Sequence, residues 1–366
     1  MSAALRQYID AFEQFSAALP REEKSAREKE LAAFLAQGFP HRKIEEWKYT
    51  DLSALADKTY AQAPAVAGGL APVRGSSSVA HLNAAFAQPG LQLRVAAGAQ
   101  AEDEYNTRMD GARMQHLHHR IALAADAQAT VILHHAGSGE YLTTQVLDID
   151  LADGAQLSLY RVQDEAGGSH HLAHTSAQLG RDASITVVTV DLGAGLARHD
   201  LDIALTAPGA SAQVHGLYVP ARGAHVDNHT RIDHRAPHGS SREFFRGIVG
   251  ERCRAIFNGK VIVQEGAVKT DSEQRVANLL LSPRAEVNAK PELEIYNDDV
   301  KCAHGATFGQ LDESAIYYLR ARGIGREQAR ALLTHAFAQE VLQHLAHEPT
   351  RTLVTRRLDA LLGAAA

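Results

Sequence analysis

A regular spacing of small turn residues dominates the sequence from Thr130 onward. Short runs rich in Val, Ile, Leu and Thr are separated by turns such as DGAQLSL, RDASITV and PGASAQV, and a second short run lies between successive turns. The turn residues are 28, 27, 30 and 27 positions apart and fall at Gly154, Asp182, Gly209, Gly239 and Gly266. A stacked coil must return to the same place in every repeat, whereas a β-sandwich needs no such equal spacing. The sequence therefore predicts a mainly β chain folded as a parallel β-helix, with two strands in each coil of about 28 residues.

Helical patterns flank the repeats at both ends of the chain. Apolar residues recur at helical spacing near the N-terminus and stop at Gly38 and Pro40, so residues 1–60 are predicted to form an N-terminal helical region. Residues 309–366 are predicted to form a C-terminal helical domain of three helices, the first of which ends at Gly323. These helices can cover the open end of the solenoid, form a docking surface, or do both.

The segment between the N-terminal helices and the repeats gives weaker signals. Residues 61–128 are interpreted as a linker and an approach to a β-helical core at residues 129–308. Ala61–Ser78 is rich in Ala, Gly, Pro and Ser without periodicity, which is typical of a flexible connection. Asn106–Asp126 has a helical pattern and is predicted to interrupt an otherwise irregular segment.

The charge and the cysteine content exclude several classes of function. The net charge is −6, and because phosphate binding needs clustered positive charge, nucleic acid is not expected as the main partner. Two cysteines in 366 residues cannot form a disulfide framework, which indicates a reducing compartment. The sequence shows neither a signal-peptide pattern nor a stretch of the roughly 20 apolar residues that a membrane span requires. We therefore expect a cytoplasmic protein that does not contact a membrane.

The main candidate site lies in PELEIYNDDVKCAHGATFGQ, which covers Pro291–Gln310. In an extended chain, side chains two positions apart share a face, so Cys302 and His304 point the same way. A thiolate and an imidazole on one face form half of a site for a soft metal. Iron–sulfur clusters generally need four protein ligands, so such a site would have to be completed by a partner or a second copy. The alternative is a core thiol at Cys302 and a hydrogen-bonded strand histidine at His304.

A second polar cluster covers His225–Arg242 and contains four histidines and two aspartates. Its proline, glycines and β-branched residues favour strand and turn, so the ligand pairs that a helix would bring together are not expected. Alternate residues of a strand share a face and could form a polar ladder between coils; they are His225, Asp227, His229, Arg231 and Asp233. The alternative function is a free-standing metal-dependent enzyme that uses the His225–His238 cluster. Cys253, between two arginines, is interpreted as a buried thiol.

Several of these segments closely resemble the SufB/SufD family of iron–sulfur cluster assembly proteins. The similar stretches are VDNHTRIDHRAPHGSSREFFRGI, FNGKVIV, the run from Thr270 through KCAHGAT to Glu313, and YYLRARGIGREQARALL. IEEWKYTDL resembles the N-terminal tryptophan motif of the family, and the KCAHGAT form is similar to its SufD branch. The principal cluster cysteine of the SufB branch has no counterpart in the aliphatic stretch near Val276.

The resemblance implies a right-handed β-helix and a non-catalytic subunit of an assembly scaffold. Such a subunit would pair with a SufB-like chain through the β-helix and bind a SufC-like ATPase through its C-terminal helices, which fits the absence of a phosphate-binding loop. His304 would contribute to the interfacial site of a transient iron–sulfur cluster, Cys302 would be auxiliary, and Glu294 corresponds to a functional glutamate of the SufB branch. No cofactor is expected to be bound stably by the isolated chain, for which a homodimer remains an open alternative.

Overall fold

The computed structural model describes residues 3–62 and 77–363. Within these ranges the chain forms a parallel β-helix with helical regions at both ends, as the turn spacing predicts. The α-helices are α1 (Ala3–Ser16), α2 (Arg21–Gln37), α3 (Ser78–Phe86), α4 (Glu313–Arg320), α5 (Arg326–Leu342) and α6 (Glu348–Gly363). Two 3-10 helices, Glu45–Trp47 and Ser53–Asp57, follow α2. The connection predicted at Ala61–Ser78 lies mostly outside the described residues.

The strands alternate between two parallel sheets, so that each coil adds one strand to each sheet. The first sheet contains β1 (Ala61–Gln62), β2 (Gln88–Val95), β4 (Arg113–Leu123), β6 (Leu142–Leu151), β8 (His170–Leu179), β10 (Leu196–Leu205), β12 (His225–His234), β14 (Arg254–Val263) and β16 (Glu286–Ile295). The second sheet contains β3 (Gln100–Asp110), β5 (Gln128–Ser138), β7 (Gln156–Glu165), β9 (Ser184–Asp191), β11 (Ser211–Tyr218), β13 (Ser240–Val249), β15 (Asp271–Leu280) and β17 (Lys301–Gly309). Because the strands pair in register, residues at equivalent positions of successive coils form columns along the β-helix.

A column of left-handed residues sets the length of the coils. Positive φ angles recur every 27 to 31 residues at Gly98, Asp126, Gly154, Asp182, Gly209, His238 and Lys269. The backbone N–H of each donates to a carbonyl of the next coil, for example from Gly154 to Arg181 at 2.8 Å. Gly, Asp and His tolerate this conformation better than most residues, which is why the spacing is visible in the sequence. Of the last two predicted turn positions, Gly266 lies in a turn and Gly239 directly follows one, while the left-handed residues of these coils are His238 and Lys269.

The helix predicted at Asn106–Asp126 is wrong. This stretch forms the end of β3 and all of β4, so the stacked coils begin at β2 and β3, ahead of the core start expected at residue 129. β4 lies between β2 and β6 in the first sheet, and β3 pairs with β5 in the second. Pairing with the neighbouring coils therefore outweighs the local helical pattern, as tertiary context commonly does for β structure.

The helices cover the outer faces of the two sheets. Aromatic residues of the N-terminal helices, such as Phe34 and Phe86, form one buried cluster with Leu142 and Leu172 of the first sheet. On the other side, α5 and α6 cover outward-facing aliphatic residues of the second sheet; the buried members include Val188, Val190, Leu217, Val341, Leu342 and Leu358. None of the helices in the described ranges is long and apolar enough to cross a membrane.

The C-terminal helices do not cover the end of the solenoid, contrary to one of the two expectations. They lie against the side of the second sheet because its outward valines and leucines provide the apolar surface that the helices need. No residue of β16 or β17 is buried. The last coil therefore leaves the edge of each sheet open.

Candidate functional site

The predicted site segment forms the last coil of the β-helix. β16 is the final strand of the first sheet and β17 is the final strand of the second, so each has a paired neighbour on one side only. An edge strand presents unpaired N–H and C=O groups to which another chain can add a strand. Pro291–Gln310 therefore lies where the edges of both sheets are open together in the last coil.

Cys302 and His304 share a face of β17, as predicted, and that face points into the β-helix. Cys302 and Ala306 pack against the buried apolar core, which fixes the direction of alternate residues on this strand. Cys302 is half-buried, and burial raises the pKa of its thiol. His304 is exposed because no further coil lies beyond it. The thiol and the imidazole thus lie together at the mouth of the solenoid.

Two buried polar columns lie directly beneath these two residues. In register with Cys302 are Ser272 and Ser241, whose hydroxyl oxygens are 2.8 Å apart, and His234 Nε2 is 2.9 Å from Ser241 Oγ. In register with His304 are Gln274 and Glu243, whose side chains are joined by a hydrogen bond. Neither column was predicted from the sequence. A spacing of 30 and 31 residues between these polar positions was the available signal, since it matches the length of one coil.

Glu294 is not brought together with Cys302 and His304. Leu293 packs against the core, so Glu294 points outward from the first sheet, where its Oε1 atom lies 2.6 Å from Lys260 Nζ. Its neighbour Glu292 shares this outer face and pairs with Lys290 at 2.6 Å. The structure thus separates the carboxylate and the thiol–imidazole pair onto different sheets and opposite faces.

The ladder predicted within His225–His234 is confirmed. Asp227 is buried, and its carboxylate lies 3.1 Å from Arg198 Nη1 and 3.0 Å from His229 Nε2. Arg198 also holds Asp200 on the same outer face, at 2.8 Å. The four histidines do not converge, because His234 points inward and His238 lies in a turn. Among the described residues, no three His, Cys, Asp or Glu side chains are grouped so that they could hold a metal ion.

Cys253 is a buried thiol, as predicted. It lies in the apolar core, and its Sγ is 3.1 Å from the carbonyl oxygen of Ala221. Burial raises the pKa of the thiol, so the neutral form is favoured. Cys253 is only 2% exposed and so is closed to a metal or a substrate, whereas the half-buried Cys302 is the accessible thiol.

The opposite end of the second sheet differs from the last coil in its charge. β3 is also an edge strand, but its outward positions carry Glu102, Glu104, Arg108 and Asp110. Charged side chains on an edge discourage the addition of another strand. β17 has Lys301 at its start, is otherwise free of permanent charge, and exposes Phe308 near its end. The edges at β3 and β17 thus differ in charge, and the β17 edge is the better suited to the addition of a strand from another chain.

The fold and the candidate site together define a β-helical protein that has a thiol and an imidazole side by side at an open sheet edge. Residues 105–337 match the SufBD core domain of the SUF system for FeS cluster assembly, and residues 2–67 match the SufBD protein N-terminal region. The chain belongs to this family.

Relatives of the chain include several iron–sulfur cluster assembly proteins. It is 34% identical over 278 residues to the iron–sulfur cluster assembly protein SufD of Escherichia coli, an alignment that covers 75% of this chain and 64% of the relative. A SufBD family protein of Synechocystis is 38% identical over 205 residues, which are 56% of this chain and 45% of the relative. One from Mycobacterium leprae is 31% identical over 237 residues, 63% and 60% of the two chains. The chain thus spans less than two thirds of the length of each of these relatives.

Proposed function

We propose that this chain is a non-catalytic subunit of an iron–sulfur cluster assembly scaffold in the cytoplasm. It pairs with a SufB-like chain through β16 and β17, and His304 contributes to the site where a nascent cluster forms. Cys302 is an auxiliary ligand in the same mouth. The cluster is the cargo of this site and does not remain bound to the isolated chain.

The open last coil is the observation that carries this proposal. It combines two unpaired strand edges with an exposed imidazole and a half-buried thiol, within a single segment. Two protein ligands are half of what an iron–sulfur cluster generally needs. A partner that pairs with these edges would bring its own ligands to the same mouth. Glu294, on the outer face and already paired with Lys260, is proposed only as a contact for that partner.

The C-terminal helices offer a separate surface for a SufC-like ATPase. Their inner sides pack on the second sheet, but Tyr317 and Tyr318 of α4 and Leu332 of α5 are exposed, Tyr317 by 73%. Large exposed apolar side chains in one region indicate a protein-binding surface. Because α5 also rests on β13, movement of a bound ATPase could be transmitted to the β-helix through this contact.

The experiment is His304→Ala in the complete chain, co-expressed with SufB-like and SufC-like partners. His304 is exposed, so the variant should fold and assemble with its partners as the wild type does. The complex should lose cluster formation, measured as iron and acid-labile sulfide per complex together with the visible absorption of the cluster. The matched control is Thr307→Ala, which removes another exposed side chain of β17 and should retain the cluster.

Normal cluster content in the His304→Ala complex would overturn the assignment of this residue. A His304→Ala chain that no longer binds its partners would instead show that the imidazole serves the interface and not the cluster. Failure of the wild-type chain to co-purify with either partner would overturn the proposed function as a whole.

A further inference from the structure

Three inward-facing residues of the second sheet form a column that ends at the candidate site. Glu243 is paired in register with Gln274, and Gln274 is paired in register with His304. Strands that neighbour one another in a sheet are about 4.8 Å apart, so each of these side chains borders the next. Glu243 and Gln274 are both buried, and His304 is the exposed end of the column.

The amide of Gln274 is fixed at its donor end. Its Nε2 atom donates a hydrogen bond to Glu243 Oε2 at 2.5 Å. The same amide reaches across the interior to the first sheet, where it lies against Gly259. A Cβ atom at position 259 would lie 2.3 Å from Gln274 Nε2, so the glycine provides the space for this orientation.

The acceptor end of the same amide has no partner. Gln274 Oε1 is buried and makes no hydrogen bond to any residue in the part of the chain that the structure describes. A buried acceptor without a donor is costly, and nearly all such groups in proteins are satisfied. The next residue of the column is His304, whose imidazole carries an N–H donor.

We propose that Gln274 is a positioning residue for His304: the exposed imidazole turns inward, and its N–H then donates to the amide oxygen of Gln274 that is otherwise without a partner. This inference rests on the proposed role of His304 in the cluster site. A neutral imidazole has one donor and one acceptor nitrogen, so a hydrogen bond to one nitrogen determines which nitrogen keeps the lone pair. With the N–H directed inward at Gln274, the lone pair faces the partner and is available to iron. Glu243 acts one step further away, because it keeps the amide from turning round.

The proposed role of the Gln274 amide can be distinguished from a role in packing alone. A side chain of similar size without an amide would fill the same space but could not choose between the two tautomers of His304. Met is such a side chain, since it is unbranched and adapts to irregular sites. Gln163 provides a matched control in a distant coil. It is also fully buried on the inward face of the second sheet, and its Nε2 donates to Glu165 Oε2 at 2.8 Å.

The test is the tautomer of His304 in the isolated chain, measured by 15N chemical shifts of the imidazole in histidine-labelled protein at pH 8. His304→Gln identifies the signal of this residue. The wild type should show one dominant tautomer, and Gln274→Met should raise the minor tautomer about fivefold, the effect of one hydrogen bond. Gln163→Met should leave the ratio of the tautomers unchanged.

Glu243→Gln is the second variant and keeps the shape of the interior. It allows the Gln274 amide to bond in either orientation, so the minor tautomer should again increase, and this variant decides the matter if Gln274→Met does not fold. A tautomer ratio unchanged in the folded Gln274 or Glu243 variant, or shifted equally by Gln163→Met, would overturn the inference. The proposed function is tested separately, because cluster loss in His304→Ala does not depend on the tautomer of the isolated chain.

Discussion

The guanidinium of Arg198 stacks on the indole ring of Trp47, with 3.8 Å between the guanidinium carbon and the ring centroid. Arg198 Nη1 also donates to the carbonyl oxygen of Glu46 at 2.8 Å and to the buried carboxylate of Asp227 at 3.1 Å. Thr50 reaches the same carboxylate from the N-terminal segment. Arg198 and its buried partner Asp227 thus connect the tryptophan motif to the outer face of the first sheet.

Arg198→Met should strongly destabilise the chain. Burial alone would raise the pKa of Asp227, but the charges of Arg198 and His229 outweigh this effect and hold the pKa below its usual value. Removing the arginine leaves a buried carboxylate without its main partner, so the free energy of unfolding should fall by about 3–5 kcal/mol. Urea unfolding at neutral pH measures the loss.

The control for this prediction is Arg231→Met. Arg231 is a half-exposed arginine of the same sheet face, and its nearest carboxylate oxygen, on Asp233, is 3.9 Å away. Exposed ion pairs contribute little, so this change should cost less than about 1 kcal/mol. Equal losses in the two variants would show that Arg198 does not hold the N-terminal segment as described.

His215→Phe should make the chain less sensitive to acid. The rings of His215 and His344 are stacked with centroids 3.6 Å apart, and neither nitrogen of His215 has a hydrogen-bond partner among the described residues. Burial lowers the pKa of His215 to about 4, so the folded chain keeps this ring neutral while the unfolded chain protonates it below about pH 6.5. Stability is therefore lost as the pH falls from 6.5 towards 4.

The gain in stability expected for His215→Phe appears only at acidic pH. At pH 5 the phenylalanine variant should be about 2 kcal/mol more stable relative to the wild type than at pH 7.5, because it has no proton to bind. His215→Asn is the control, because it removes the same titrating group but leaves a cavity. It should be less stable than the phenylalanine variant at both pH values. Urea unfolding at the two pH values checks this, and parallel pH dependence of wild type and Phe variant would contradict it.

The turn residues and the helix ends could be predicted from the sequence because their signals are local. Gly154, Asp182 and Gly209 occupy left-handed positions that few other residues tolerate, and Gly38 and Gly323 have positive φ angles just after helices. Repetition at one coil length then specifies stacking. The last coil and the shared face of Cys302 and His304 follow from the same logic.

The features of the fold and the site that could not be predicted depend on contacts between residues far apart in the sequence. β4 has the local pattern of a helix and becomes a strand only because β2 and β6 lie on either side of it. The position of the C-terminal helices follows from aliphatic residues on the outer face of the second sheet, whose direction the repeat alone does not give. The link from Glu243 to Gln274 likewise needs the register of two coils 31 residues apart.

Glu243→Gln should show a pH dependence opposite to that of His215→Phe: its gain in stability over the wild type should appear as the pH rises. Burial raises the pKa of Glu243 to about 6, so the folded chain holds a proton that the unfolded chain has released. The stability that this proton provides is complete below about pH 4.5 and is lost as the pH rises through 6. Relative to the wild type, the glutamine variant should gain about 2 kcal/mol between pH 4 and pH 7.5. Urea unfolding across this range is the measurement, and a difference independent of pH would contradict it.

Phe308→Asp should weaken pairing with a partner without weakening the fold. Phe308 is 53% exposed on the open edge of β17, so little apolar burial within the chain is lost. A charge placed there would have to be desolvated when another strand or subunit covers the edge, which disfavours association. Binding of a SufB-like chain, measured by titration calorimetry, should weaken by at least about tenfold, equivalent to 1.4 kcal/mol.

Asn106→Asp adds the same charge at an outward position of the edge strand β3 and should leave binding unchanged. Equal weakening by both variants would indicate a general effect of charge, and no weakening by Phe308→Asp would exclude this edge as the pairing surface.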